Sequence, residues 1–183
     1  MKRPALFLDR DGVINEDLRY VHKIEDFHFV EGIFGLCRRA MSAGMPIIIV
    51  TNQAGIGRGY YSEEQFHSLS EWMIAYFASE EVTIDGIYFC PFHPVHGIGR
   101  YKVNSEDRKP RPGMIYRASK EHALDLGSSV LVGDKASDIE AAYNAGIGTS
   151  VLFSKQPKTV NPAPDILVHS LIDLTELLFP FTG

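Results

Sequence analysis

Two pairs of carboxylates in this 183-residue chain are spaced for joint work. Asp9 and Asp11 follow the apolar run Ala5-Leu6-Phe7-Leu8, and an extended backbone would aim both side chains the same way. Asp134 and Asp138 follow Val130-Leu131-Val132-Gly133, and their i, i+4 spacing puts them on one face of a helix that begins there. Two like charges 4 Å apart repel by roughly 1 kcal/mol in water and roughly 4 kcal/mol at an effective dielectric of 20. A cation or a shared proton relieves that cost. Asp-Gly after a strand also suits a plain turn, and acids at a helix start also suit its dipole. Taken together, four carboxylates at two strand ends fit a hard divalent cation held through oxygen, with Mg²⁺ the natural choice.

Other residues would hold a phosphate. Thr51-Asn52-Gln53 offers a hydroxyl and backbone N–H groups where a strand turns into a loop. The glycines that follow, Gly55, Gly57 and Gly59, alternate strictly and miss the dinucleotide G-x-G-x-x-G spacing. They are expected to let a loop turn closely beside a pocket. Six of the 18 Lys and Arg lie between Arg100 and Arg117, and Arg108-Lys109-Pro110-Arg111-Pro112-Gly113 is stiffened by two prolines. Such a run is most often a solvated face, but rigid cations beside an acidic cluster suit a phosphorylated substrate.

The elements that must position these groups read as alternating strands and helices. Besides the two runs above, Pro46-Ile47-Ile48-Ile49-Val50 and Gly86-Ile87-Tyr88-Phe89-Cys90 are apolar throughout, as strands covered on both faces are. Ser150–Phe153 and Ile166–Val168 are weaker strand candidates. Helices are expected over Gly32 to Ala43, after a capping box at Ser62-Glu63-Glu64-Gln65, over Pro112 to Asp125, over Ala136 to Ala145 and over Leu171 to Leu178. The pattern predicts an α/β fold: a doubly wound, Rossmann-like three-layer sandwich around a parallel sheet, in a single domain spanning residues 1–183. Val13 to Val30 and Pro91 to Arg111 lack periodicity and follow the C-terminal ends of predicted strands, where open α/β sheets place ligands.

Composition sets bounds. Hydrophobic residues at 45% and charged residues at 22% suit a buried core. A formal charge of −5 argues against a chain-wide grip on nucleic acid or anionic membrane. No apolar run reaches 18 residues, the Met1-Lys2-Arg3 start leads to too short an apolar stretch for a secretory leader, and Cys37 and Cys90 make no disulfide framework. A cytoplasmic monomer acting on a small molecule is the expectation.

In this order the pieces resemble the haloacid dehalogenase (HAD) superfamily of phosphatases. Its four motifs are matched by Phe7 through Asn15, Val50-Thr51-Asn52-Gln53, Arg108-Lys109-Pro110, and Val132-Gly133-Asp134 through Asp138. Longer strings, among them Tyr20-Val21-His22, Asp85-Gly86-Ile87-Tyr88 and Gly133-Asp134-Lys135, are similar to those of its heptose-bisphosphate phosphatase branch. Histidinol-phosphate phosphatases have a similar domain, and a non-catalytic binding domain could keep the fold. The resemblance implies removal of the 7-phosphate from a heptose 1,7-bisphosphate, a small phosphorylated sugar, in the supply of nucleotide-activated heptose. It implies that Asp9 is the nucleophile and Asp11 the general acid and base, with Thr51 and Lys109 holding the phosphoryl group. Mg²⁺ would sit on Asp9, the backbone carbonyl of Asp11, and Asp134, with Asp138 in support. Arg108 and Lys135 would contact substrate, and Asp17, Tyr20, Asn52 and Gln53 would line its pocket. No large cap insertion is visible, so two irregular loops must guard the site.

The chain departs from that pattern twice. Relatives commonly carry a zinc loop of Cys-x-His and Cys-x-Cys, whereas Phe92, Ser105 and Asp107 stand at three of those places here. Cys90, His93, His96 and Asp107 make an alternative set, but a zinc-free loop held by packing is the expectation. Leu18 and Arg19 replace the small or polar pair usual before Tyr20-Val21.

Overall fold

The computed structural model describes residues 2–156 and 158–180. Six strands form one parallel sheet: β1 Leu6–Leu8, β2 Ile47–Asn52, β3 Gly86–Cys90, β4 Val130–Gly133, β5 Thr149–Phe153 and β6 Ile166–Val168. Their spatial order is β3-β2-β1-β4-β5-β6. The helices are α1 Ile33–Ser42, α2 Ala54–Gly57, α3 Glu63–Ser79, α4 Gly113–Glu121, α5 Ala136–Ala145 and α6 Leu171–Leu178.

Alternation along each strand sorts the core into two layers. Leu6, Leu8, Ile47, Ile49, Val130 and Val132 meet Leu36 of α1, Leu69, Met73 and Phe77 of α3, and Leu171 and Leu174 of α6. Phe7, Ile48, Val50 and Leu131 meet Met114, Ile115 and Ala118 of α4 and Ala141, Ala142 and Ala145 of α5. Both faces of the central strands are therefore dry, which explains why their sequences are apolar throughout rather than alternating.

Most expected elements form. The capping box starts α3, with Gln65 N–H donating to Ser62 Oγ at 3.1 Å and Ser62 N–H to Gln65 Oε1 at 2.9 Å. Gly146 takes φ +73° at the end of α5, the left-handed conformation glycine adopts at least cost. Other boundaries move. β2 runs two residues past Val50, because Thr51 and Asn52 pair with Phe89 and Cys90 of β3. α4 stops at Glu121 rather than Asp125, where Ala123 turns left-handed and Leu124 drops into the core beside the N-terminal segment. The Gly55 region is a short helical turn rather than an open loop. A Cβ on Gly55 would lie 2.2 Å from the Tyr61 ring, so the predicted close approach is real.

The chain starts in the middle of the sheet at β1, works outward to β3, and returns to β4 on the other side of β1. Strand order reverses between β1 and β4, and a doubly wound sheet opens a crevice at their C-terminal ends. Asp9 and Asp134 are the first residues beyond those two strands. Leu8 is in register with Val132 and the Asp9 N–H donates to the Val132 carbonyl at 3.0 Å, which puts Asp134 one residue beyond the level of Asp9. The connections around the crevice hold only single 3-10 turns, Ile24–Asp26 and Gly99–Tyr101, and no separate cap domain is inserted among the described residues. Among those residues no helix is long and apolar enough to cross a membrane.

Phe77 is fully buried where α3 meets Phe29 and Phe34. Phe77→Ala is expected to cost about 3–5 kcal/mol in urea unfolding. A loss below about 1 kcal/mol would show that this face of α3 is not packed into the core.

Candidate active site

A buried lysine ties the acidic groups together. The Lys109 ammonium lies 2.9 Å from Asp9 Oδ1 and 2.7 Å from Asp138 Oδ1, and it donates to the Val50 carbonyl at 2.7 Å. Its three N–H bonds are thus all engaged. Burial opposes its charge, yet Asp138 and Asp9 hold its pKa above the ordinary lysine value. Asp9 Oδ1 also accepts from the Arg10 N–H at 2.8 Å. Both bonds to Asp9 fall on Oδ1, so Oδ2 is the oxygen left to make a new bond.

Asp138 does two tasks. Its Oδ1 meets Lys109, while its Oδ2 accepts from the backbone N–H groups of Asp134 at 3.2 Å and Lys135 at 3.0 Å, capping α5. Two glycines permit the close packing. A Cβ on Gly133 would sit 2.1 Å from Asp138 Cβ, and one on Gly12 would sit 2.4 Å from the Asp134 carboxylate. Gly12 also has φ +99°, which side-chain-bearing residues rarely adopt.

Asp9, Asp134 and Asp138 each bring a carboxylate oxygen within 4.8 Å of the others. Burial, with Asp138 and Asp134 nearby, pushes the Asp9 carboxyl up to about 7 despite Lys109. Burial pushes Asp134 up to about 6 although Lys135 opposes it. Asp134 Oδ1 is buried without a hydrogen-bond partner. An orphaned acceptor among crowded carboxylates is what a hard divalent cation satisfies, so the residues fit one. Asp11 lies outside this cluster. The strand ends at Leu8, so the extended alternation expected for Asp9 and Asp11 does not hold.

The Asp11 carboxylate instead meets donors from three side chains. Arg10 Nη2 reaches it at 2.9 Å, Asn15 Nδ2 at 3.1 Å and Gln53 Nε2 at 2.9 Å. Gln53 Nε2 also donates to Thr51 Oγ1 at 2.8 Å, and its Oε1 accepts from the Tyr61 hydroxyl. Tyr61 thereby fixes which end of the Gln53 amide faces Asp11 and Thr51. Arg10 is buried to 2% exposure, donates to the Val21 carbonyl at 2.7 Å and lies near the Phe27 and Phe66 rings. Sequence reasoning passed over Arg10 and Tyr61, since nothing in their local spacing marks them.

These residues floor or line a cleft of about 450 Å³. Asp9, Asp11, Asp17, Tyr20, Asn52, Gln53, Arg108, Lys109, Lys135 and Asp138 all border it, together with Arg19, Tyr61 and Ser137, which were not expected there. Thr51 is fully buried beneath it, and Asp134 borders an adjoining cleft of about 220 Å³. The Asn52 amide is committed to structure: Nδ2 donates to the Lys109 carbonyl and Oδ1 accepts the Lys109 N–H, both at 3.0 Å. It holds the Lys109 backbone as a neighbouring strand would. Lys135 pairs with Asp17 at 2.9 Å, and Arg108 donates to the Phe92 carbonyl at 3.3 Å.

Some of the residues weighed for zinc have other partners. His93 Nδ1 accepts from the N–H groups of Val95 and His96, Asp107 pairs with Arg117 at 3.0 Å, and burial raises the pKa of the Cys90 thiol.

Comparison with known proteins shows the family. Residues 107–174 match the model of a family described as HAD-hydrolase-like. The chain is 62% identical, over 97% of its length and 95% of the relative's, to the D-glycero-alpha-D-manno-heptose-1,7-bisphosphate 7-phosphatase of Burkholderia mallei. It is 51% identical, over 94% of its length and 92% of the relative's, to the D-glycero-beta-D-manno-heptose-1,7-bisphosphate 7-phosphatase of Vibrio cholerae. Among solved structures, the D,D-heptose 1,7-bisphosphate phosphatase of B. bronchiseptica, complexed with magnesium and phosphate, superposes with a TM-score of 0.81 at 26% identity, covering 96% of this chain and 97% of that one.

Two outcomes follow from the geometry. A carboxyl whose pKa is raised by folding subtracts stability as pH climbs from its ordinary value of 3.8 to the raised one, about 6 for Asp134, and the full cost is present above that. Asp134→Asn removes that cost, so in EDTA at pH 7.5 the variant should melt a few degrees above the unsubstituted protein. It should also lose the rise in Tm that Mg²⁺ confers, and equal Mg²⁺ stabilisation of both proteins would refute the cation site. Separately, Asn52→Ala should lower phosphatase kcat by about 10²-fold, through displacement of Lys109, and leave KM within about threefold. A change confined to KM would mean that Asn52 acts on substrate directly.

Proposed function

The chain belongs to the heptose-1,7-bisphosphate 7-phosphatase family of HAD-like hydrolases, and from that premise we propose that it hydrolyses the 7-phosphate of D-glycero-D-manno-heptose 1,7-bisphosphate. The observation that carries the reading is the buried Lys109 bridging Asp9 and Asp138 on the floor of a polar cleft. Such a floor suits a phosphoryl group, because a fixed cation lies beside a carboxylate able to attack.

In the proposed mechanism Asp9 Oδ2 attacks phosphorus and the bond from phosphorus to the sugar oxygen breaks. Asp11, as the acid, gives its proton to the departing alkoxide. The product is an aspartyl phosphate on Asp9. Asp11, now the base, takes a proton from water as that water attacks the phosphorus, which frees Asp9 and inorganic phosphate. Lys109 and the Thr51 hydroxyl hold the equatorial phosphoryl oxygens, and Asp138 keeps Lys109 charged and in place. Mg²⁺ on Asp9, Asp134 and the Asp11 carbonyl would offset the charge between nucleophile and phosphate. Arg108 and Lys135, with Asp17, Tyr20, Asn52 and Gln53 around them, form the substrate wall. Under this proposal residues 1–183 act as one cytoplasmic phosphatase domain, a monomer needing neither nucleic acid nor membrane, in the supply of nucleotide-activated heptose.

Phosphate release should be measured with Mg²⁺ on the α and β heptose bisphosphates and on histidinol phosphate. Asp9→Asn is expected to reduce turnover by at least about 10⁴-fold, because it removes the attacking group. Equal, slow release from all three compounds would overturn the substrate reading. Turnover surviving in Asp9→Asn would overturn the covalent route.

A further inference from the structure

Among the described residues, the side chains that bond to the Asp11 carboxylate are all donors: Arg10 through Nη2, Asn15 through Nδ2 and Gln53 through Nε2. Each donor is anchored from behind. The Val21 carbonyl accepts from Arg10 Nη2 at 2.7 Å, and the Glu16 carbonyl accepts from Asn15 Nδ2 at 2.9 Å. The Asn15 amide keeps that direction although its Oδ1 is buried without a hydrogen-bond partner. The third anchor is the Tyr61 hydroxyl, which donates to Gln53 Oε1.

A guanidinium can only donate, but an amide can turn over and offer its oxygen instead. For Gln53 the Tyr61 hydroxyl decides between the two. The Tyr61 ring is buried, stacked on His22 at 4.9 Å between centroids and closed against Gly55. Burial raises the Tyr61 pKa above the ordinary tyrosine value, so the hydroxyl keeps its proton. Turned over, the Gln53 amide would aim an N–H at that hydroxyl, and a buried O–H would lose its acceptor. Gln53 Nε2 is thus held toward Asp11 at 2.9 Å and toward Thr51 Oγ1 at 2.8 Å.

This direction matters while Asp11 carries the proton it is to give away. Neighbours that only donate cannot share that proton, so it faces the cleft and the departing oxygen. A turned amide would accept it and withhold it. We propose that Tyr61 is a positioning residue for leaving-group protonation: by fixing the Gln53 amide, it reserves the Asp11 proton for the sugar oxygen. The inference rests on the acid role given to Asp11 above and goes beyond it by naming the side chain that keeps the acid productive.

The test reads kcat/KM, which covers formation of the aspartyl phosphate, on heptose 1,7-bisphosphate and on para-nitrophenyl phosphate with Mg²⁺. The sugar leaves as an alkoxide that needs a proton, whereas the nitrophenolate departs as the anion. Tyr61→Phe keeps the ring and removes only the hydroxyl. It is expected to lower kcat/KM about tenfold on the bisphosphate and less than about threefold on the aryl ester. The smaller loss is the share of Thr51, common to both substrates, and a merely structural defect would fall on both alike. Asp11→Asn should show the same preference more strongly, and adding Tyr61→Phe to it should cost less than about threefold on the bisphosphate. A Tyr61→Phe loss that is absent, or equal on both substrates, overturns the inference alone. An Asp11→Asn loss equal on both overturns the acid role, unsubstituted enzyme inactive on the bisphosphate overturns the substrate reading, and the inference falls with either.

Discussion

The Lys109 ammonium is the constraint on which the rest depends. Asp9 and Asp138 are 5% and 1% exposed, and each would be costly to bury as a bare anion. One cation 2.9 and 2.7 Å from them makes the arrangement tenable, and the Val50 carbonyl completes its coordination. Breaking such a buried set by removing one member costs more than the set contributes, because the survivors keep their desolvation. The acidic floor is therefore a unit. Its chemistry and its stability rest on the same few atoms.

Sheet topology supplies the place for that unit. The reversal between β1 and β4 opens a crevice to which two central strands deliver their next residues. Main-chain pairing ties the Asp9 N–H to the Val132 carbonyl, and Gly12 and Gly133 take away the side chains that would hold the carboxylates apart. The core below is buried on both faces; above it Asp9 is placed by its main-chain bond to Val132, and Asp134 by the bond from its N–H to Asp138.

Much of this was legible in the order of residues. Apolar runs of β-branched residues gave the strands, and acids placed after two of them gave the floor. Thr51 and Lys109 were legible through their motifs and through the resemblance they complete. What stayed hidden shares one physical reason: the partner lies far away in sequence. Asn52 does border the cleft as expected, but its clamp on Lys109 was hidden because it spans 57 positions. Arg10 reads locally as a charged turn residue, and only the folded chain shows it sunk beside Asp11, Val21 and two aromatic rings. Tyr61 orients Gln53, whose other contacts lie on Asp11 and Thr51, and no spacing rule links those four. The end of α4 was missed because a left-handed Ala123 is set by the burial of Leu124 rather than by local helix propensity.

The clamp that joins Asn52 to Lys109, and the bridge from Lys109 to Asp138, have a consequence for synthesis on the ribosome. The floor draws on β1, on the end of β2, on the segment before α4 and on the first turn of α5. A nascent polypeptide that has not yet exposed Asp138 can pair Asp9 with Lys109 but lacks the carboxylate that takes a second Lys109 N–H and caps α5. The complete floor can therefore assemble only after α5 has emerged from the ribosome.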